Sequence, residues 1–142
     1  MNPWIIDFIY LFLILAFLTI GIVSLIIIIK RKHKGNSSKI PFVSLIISIL
    51  LLLMLFLFIA SHPTYYKYND WIILYSNINI VQQKYGDFDL GSVTENKAGV
   101  VAYYIYTDNG PIMPDHMKHY YYMEYDEWGV IYKVYETIQP GG

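Results

Sequence analysis

Two long apolar runs dominate the first part of the chain, and after them the hydrophobic period changes. From Ile5 to Ile29 the only charge is Asp7, and from Ile40 to Ala60 there is none. As helices these runs rise about 38 Å and about 31 Å, against a hydrocarbon core of about 30 Å. Neither has a polar face, so both are expected to span a membrane, the first by tilting or by lifting Asp7 into the headgroups. Pro41 falls in the first turn of the second run, where its missing N–H costs little. Ser61-His62-Pro63 ends that run. The link from Lys30 to Lys39 is so short that the spans must form an antiparallel hairpin. Ala16, Thr19, Gly21 and Ser24 on one helix, with Ser44 and Ser48 on the other, offer faces for close approach.

Beyond Pro63 the runs shorten. Trp71, Leu74, Tyr75, Ile78, Val81 and Tyr85 recur near helical spacing, which predicts a helix over Asp70–Tyr85 with Asp70 as N-cap and Gly86 just past its end. Ile72, Ile73, Ile78, Ile80 and Val81 keep a strand reading open for the same segment. Gly99–Thr107 is β-branched and aromatic and closes at the turn signal Asp108-Asn109-Gly110-Pro111. His119–Tyr125 and Val130–Ile138 predict two more strands, joined by Asp126-Glu127-Trp128-Gly129 as a type I turn with glycine in the left-handed position. On that register Tyr121, Met123, Tyr125, Ile131 and Tyr135 share a face whose only charge is Lys133, and Glu124 and Glu136 lie opposite. Residues 87–98 offer a weaker fourth strand. The fold class expected is therefore a membrane protein: a two-helix transmembrane hairpin (residues 4–61), then a small α+β domain (62–142) of one helix and three to four antiparallel strands.

Charge gives the hairpin a direction. Lys30, Arg31, Lys32, Lys34 and Lys39 make up half of all the basic residues and lie together between the spans with no acid among them. Short basic loops stay in the cytoplasm, so both ends of the chain are expected outside. Trp4 before the first span, and Tyr65, Tyr66, Tyr68 and Trp71 after the second, fall at that outer interface, where amphipathic rings are favoured. A cleaved signal peptide fits poorly, because the first residues carry no base and the bases follow the apolar run. The absence of cysteine excludes disulfides and thiolate metal sites, and an outward domain without disulfides suits a bacterial envelope.

The segment from Tyr120 to Tyr135, an aromatic strand pair around an Asp-x-x-Gly turn, resembles the terminal hairpin of small membrane-anchored proteins of unknown function from Gram-positive bacteria. In these a helix and a tyrosine-rich antiparallel sheet follow the anchor in a PepSY-like arrangement. The resemblance covers about the last 70 residues and implies an α+β ectodomain without a known activity. Those proteins carry one span where this chain has two.

Candidate chemistry is sparse. Asp115, His116 and His119 combine a carboxylate with two imidazoles, a set able to ligate zinc or copper, with Met117 suited to reduced copper. The spacing is not that of a helical metalloprotease motif, and solvated loop residues are the simpler reading. Glu124, Asp126 and Glu127 flank a turn, where charge usually serves solubility. No nucleophile setting, phosphate loop or dinucleotide fingerprint occurs, and no cofactor is implied. The outer segment holds five lysines and ten acids and is therefore acidic, which disfavours nucleic acid as a partner. It also holds 14 of the 15 tyrosines, more than so small a core is expected to bury. Tyr120, Tyr122 and Tyr132 are the expected binding surface. The function expected is that of a non-enzymatic accessory protein of the bilayer, regulatory or immunity-type, acting on an envelope or membrane-protein partner. The alternatives are an envelope metal-binding or hydrolytic protein using His116 and His119, and a membrane-permeabilising or transport-associated hairpin.

Overall fold

The structure, a computed structural model, describes residues 3–34, 37–111 and 113–138. The chain divides into two compact units, residues 6–60 and the remainder. The first unit is built on α1 (Pro3–His33) and α2 (Lys39–Ser61), both long and apolar enough to cross a membrane. Only 6% of the most apolar window of either helix is buried, so neither is packed as a core helix within this chain. α1 runs four residues past the expected end of its span. Lys30, Arg31 and Lys32 thereby occupy its last turn, where cations meet the negative end of the helix dipole. Lys34 follows the helix, and Lys39 opens α2.

The small residues sit between the two helices, as their pattern predicts. The Ser24 hydroxyl donates to Ser44 Oγ at 3.1 Å, and a Cβ on Gly21 would lie 3.1 Å from Ser48 Oγ. Ser24 and Ser48 are buried. Thr19 instead bonds its own helix, at the Leu15 carbonyl. Further along, Tyr10 meets Phe58 edge to face.

In the second unit the single helix expected over Asp70–Tyr85 is two, α3 (Asp70–Ile73) and α4 (Ile78–Tyr85). Asn69, not Asp70, caps the first, its side chain accepting from the Ile72 N–H. Ser76 and Asn77 cause the break, because their side chains compete for nearby backbone groups. The Ser76 hydroxyl donates to the Ile73 carbonyl, and Asn77 caps α4 by accepting from the Asn79 N–H. Tyr75 takes a left-handed φ of 67° between them. The apolar stripe is therefore split: Ile73, Ile78 and Val81 are buried, whereas Trp71 and Tyr75 are exposed.

The sheet has the order β1 (Gly99–Thr107), β2 (Lys118–Tyr125), β3 (Ile131–Ile138), all antiparallel. Asp126–Gly129 forms the expected turn. Asp126 Oδ1 accepts from the N–H groups of Trp128 and Val130, and Gly129 has φ 79°. The face assignment on β3 needs correction. A bulge between Glu124 and Tyr125 pairs Tyr125 with Ile131 and Glu124 with Lys133, leaving Tyr132 unmatched. That extra residue flips the alternation. Val134 and Glu136 join Tyr121, Met123, Tyr125 and Ile131 on one face, and Lys133 and Tyr135 move to the other. Lys133 there bonds Glu124 at 3.0 Å and holds its carboxyl below the usual glutamate range. The fourth strand is absent among the described residues. Residues 87–98 contribute one bridge, Leu90 to Ala102, on the outer edge of β1. The margin of β3 is covered at its start, where Tyr75 N–H donates to the Ile131 carbonyl and Ile131 N–H to that of Ser76.

Tyrosine builds the core. Tyr68 touches four other tyrosines, with ring centroids 4.6 Å from Tyr121, 5.2 Å from Tyr85, 5.5 Å from Tyr103 and 6.2 Å from Tyr65. Beneath them lies a buried carboxylate. Asp70 is 2% exposed and accepts from the Thr64 N–H and hydroxyl through one oxygen and from the Tyr121 hydroxyl, at 2.7 Å, through the other. These bonds tie the stretch leaving α2 to α3 and to β2. Asp70→Ala orphans a phenol with no exposure of its own and is expected to cost about 2–3 kcal/mol. For a domain of this size that lowers Tm by on the order of 10 °C, measurable by near-UV circular dichroism of the full chain in detergent. An unchanged melt would show that the network contributes nothing.

Candidate functional site

The three tyrosines expected to form a binding surface divide. Tyr120 and Tyr122 are buried in a second cluster on the far face of the sheet, with Ala102, Leu90 and Tyr135. Tyr122 stacks on Tyr135 at 5.5 Å, so these rings cover one another. Tyr132, the bulge residue, is exposed, and its hydroxyl donates to Glu124. The expected interface anchors divide as well. Tyr65 and Tyr68 are core residues, Tyr66 packs partly buried against them, Trp4 is half-buried in the first turn of α1, and Trp71 is exposed. The proportion of tyrosine is thus explained mainly by packing.

Burial leaves an electrostatic mark on these phenols. Desolvation, the largest cause in each case, pushes Tyr103 up to about 12 and Tyr65, Tyr68, Tyr106 and Tyr121 higher still. Hydrogen bonds to Glu136 and Asp70 add to it at Tyr106 and Tyr121. A folded pKa above the unfolded value, about 10, leaves stability intact below pH about 10 and erodes it as pH climbs toward the folded value. Alkaline titration is therefore expected to ionise these five phenols late, in one step that coincides with loss of near-UV ellipticity. Smooth ionisation of every tyrosine near pH about 10 with the ellipticity intact would contradict this.

Of Asp115, His116 and His119, the fold joins two. His119 Nε2 lies 3.3 Å from Asp115 Oδ2, whereas the His116 ring pairs with Asn109 Oδ1 at 3.0 Å in the loop before β2. His119 Nδ1 faces Glu136 Oε1 at 3.0 Å, and the Tyr106 hydroxyl donates to the same oxygen. The Tyr106 ring stacks on the imidazole with centroids 4.4 Å apart. Sequence spacing could not find Glu136 or Tyr106, which arrive through strand pairing. Both nitrogens of His119 face carboxylates of its own chain, so the cluster acts as a clamp between the loop before β2 and the sheet. Among the described residues no three His, Asp or Glu side chains are arranged to hold a metal ion. His62 lies apart from the cluster, its ring 2.9 Å from Ser61 Oγ.

A separate concavity lies at the other end of the β2–β3 hairpin. A cleft of about 490 Å³ opens between α4, the Val93–Lys97 loop and the Asp126–Gly129 turn. Ile78 and Tyr125 form its floor, and Asn79, Gln82, Thr94, Glu95, Asn96 and Lys97 line its walls. Trp128 stands at its mouth, 73% exposed. The turn holds that residue firmly: its N–H donates to Asp126 Oδ1, and its carbonyl accepts from Asn77 Nδ2 at 3.2 Å. The sequence carried a trace of this site, a tryptophan at the tip of a polar turn, where burial is impossible. The walls come from segments 30 to 50 residues away, which periodicity does not connect. No family model, curated protein or solved structure matches the chain.

Proposed function

We propose that this chain is a membrane-anchored, non-enzymatic binding protein, whose two apolar helices cross the bilayer and hold the tyrosine-cored domain on the outer side against an envelope or membrane-protein partner. The observation that carries this reading is the placement of the largest apolar side chains. The domain buries about half of its tyrosines yet leaves Trp71, Ile72, Tyr75 and Trp128 in solvent. Trp128 is fixed there by a hydrogen-bonded turn, so its exposure is built in. Exposed aromatics on rigid elements are the usual anchors of recognition. The five bases between the two apolar runs support the orientation. The link holding them is too short for a signalling domain, so any regulatory or immunity-type message passes through the partner. A photo-crosslinking residue in place of Trp71 or Tyr132 in intact cells, followed by purification in mild detergent, is expected to trap a discrete partner. A monomer without crosslinks under native expression, or a domain protected from external protease, would overturn the reading.

A further inference from the structure

The cleft beside Trp128 has a chemical character of its own. The backbone of its turn is mostly occupied: Gly129 N–H donates to the Asp126 carbonyl, Val130 N–H to the Asp126 carboxylate, and the Gly129 carbonyl accepts from Ile78 N–H. These bonds leave no run of free main-chain groups along the turn, which disfavours an extended peptide recognised by strand addition. What remains is side-chain chemistry. The side chains of Asn79, Thr94 and Asn96 have no hydrogen-bond partner among the described residues and offer amide and hydroxyl groups, both donor and acceptor, to the cleft. Glu95 and Glu127 face it against Lys97 alone, a balance unfavourable to an anion. Beside these polar groups stands one flat indole.

We infer that this cleft is a binding site for a neutral saccharide of about two to three rings, a volume within the usual range for small-ligand sites. The less polar face of a pyranose ring would lie on the Trp128 indole, while its hydroxyls replace water on Asn79, Thr94 and Asn96. An apolar ligand is disfavoured because the walls are polar and Ile78 and Tyr125 are already covered. The inference rests on the binding reading above, of which it names the ligand class.

The test uses the full chain in lipid nanodiscs with fluorotryptophan at its three tryptophans and follows each fluorine resonance. Tri-N-acetylchitotriose is the probe, with trigalacturonate as the anionic control and triglycine amide as the peptide control. The Trp128 resonance, assigned by its loss in Trp128→Phe, is expected to shift saturably with the neutral trisaccharide at about millimolar concentration and not with either control. Read on the saccharide's own proton resonances by saturation transfer, Trp128→Ala should weaken binding at least about tenfold; Asn79→Ala, whose side chain has no hydrogen-bond partner among the described residues, should weaken it severalfold, read at Trp128. No saturable shift, an undiminished affinity in Trp128→Ala, or an equal response to the peptide or the anion would overturn the assignment. Purified protein has no orientation to fail, so a negative titration leaves the membrane topology and the crosslinked partner standing.

Discussion

Tyr68→Ala is expected to remove about 3–5 kcal/mol, a large share of the domain's stability. A domain of about 80 residues has a total stability of roughly 4–12 kcal/mol, and removing a buried aromatic ring costs about 3–5 kcal/mol. Tyr68 is 1% exposed and stands at the centre of the ring cluster, against Tyr65, Tyr85, Tyr103 and Tyr121, so its loss opens a cavity that none of these stiff rings can fill. Tyr68→Phe keeps every ring contact and is expected to change stability by less than about 0.5 kcal/mol. Tyr121→Phe, by contrast, strips Asp70 of a buried donor and should cost about 1–2 kcal/mol. Urea titration of the three variants, followed by near-UV circular dichroism, checks this order. A Tyr68→Ala protein with native stability would refute the picture of a core built on ring packing.

The second large effect concerns orientation. Replacing Lys30, Arg31, Lys32, Lys34 and Lys39 together by glutamine removes every lysine and arginine between the two apolar runs. With Asp7 the only charge left in the first 60 residues, nothing in that stretch then distinguishes one side of the membrane from the other. External protease acting on intact cells should cleave the domain completely in the parent protein. In the five-glutamine variant the accessible fraction should fall to a mixture of orientations. Moving the five bases ahead of Trp4 should invert the protein. Full accessibility in all three would mean that loop charge does not set direction here.

The parts of this fold that were legible in the sequence are those governed by local rules. Two runs without a polar face could only be long apolar helices, and Gly21, Ser24, Ser44 and Ser48 marked their contact face correctly. β1 agreed with its expected limits, and β2 and β3 began within one residue of theirs. The Asp126–Gly129 turn followed from an aspartate and a glycine at the required spacing. What escaped was set by single residues acting against a period. Ser76 and Asn77 cut an apolar stripe that otherwise looked continuous, and a second capping signal was present there to be read. Tyr132, inserted opposite the Glu124–Tyr125 step, reversed the faces of β3 after Ile131, and nothing in its composition announced it. The buried role of Tyr120 and Tyr122 was hidden for a different reason: the tyrosines outnumber what one small core is expected to bury, yet the sheet carries a second cluster on its far face. The candidate site was the least legible part, because α4, the Val93–Lys97 loop and the turn at Trp128 meet only after the whole domain has folded.

The hydrogen bonds that Leu90 makes to Ala102, and that Tyr75 and Ser76 make to Ile131, have a consequence for a domain anchored in a bilayer as proposed above. Molecules confined to a plane encounter their own copies far more often than the same number dispersed in a volume. An unguarded sheet margin would turn each encounter into an opportunity for chains to zip together. In the proposed membrane setting, the bonds at Ala102 on one margin, and at Ile131 with Lys133 beyond it on the other, interrupt the run of free main-chain groups that such pairing requires.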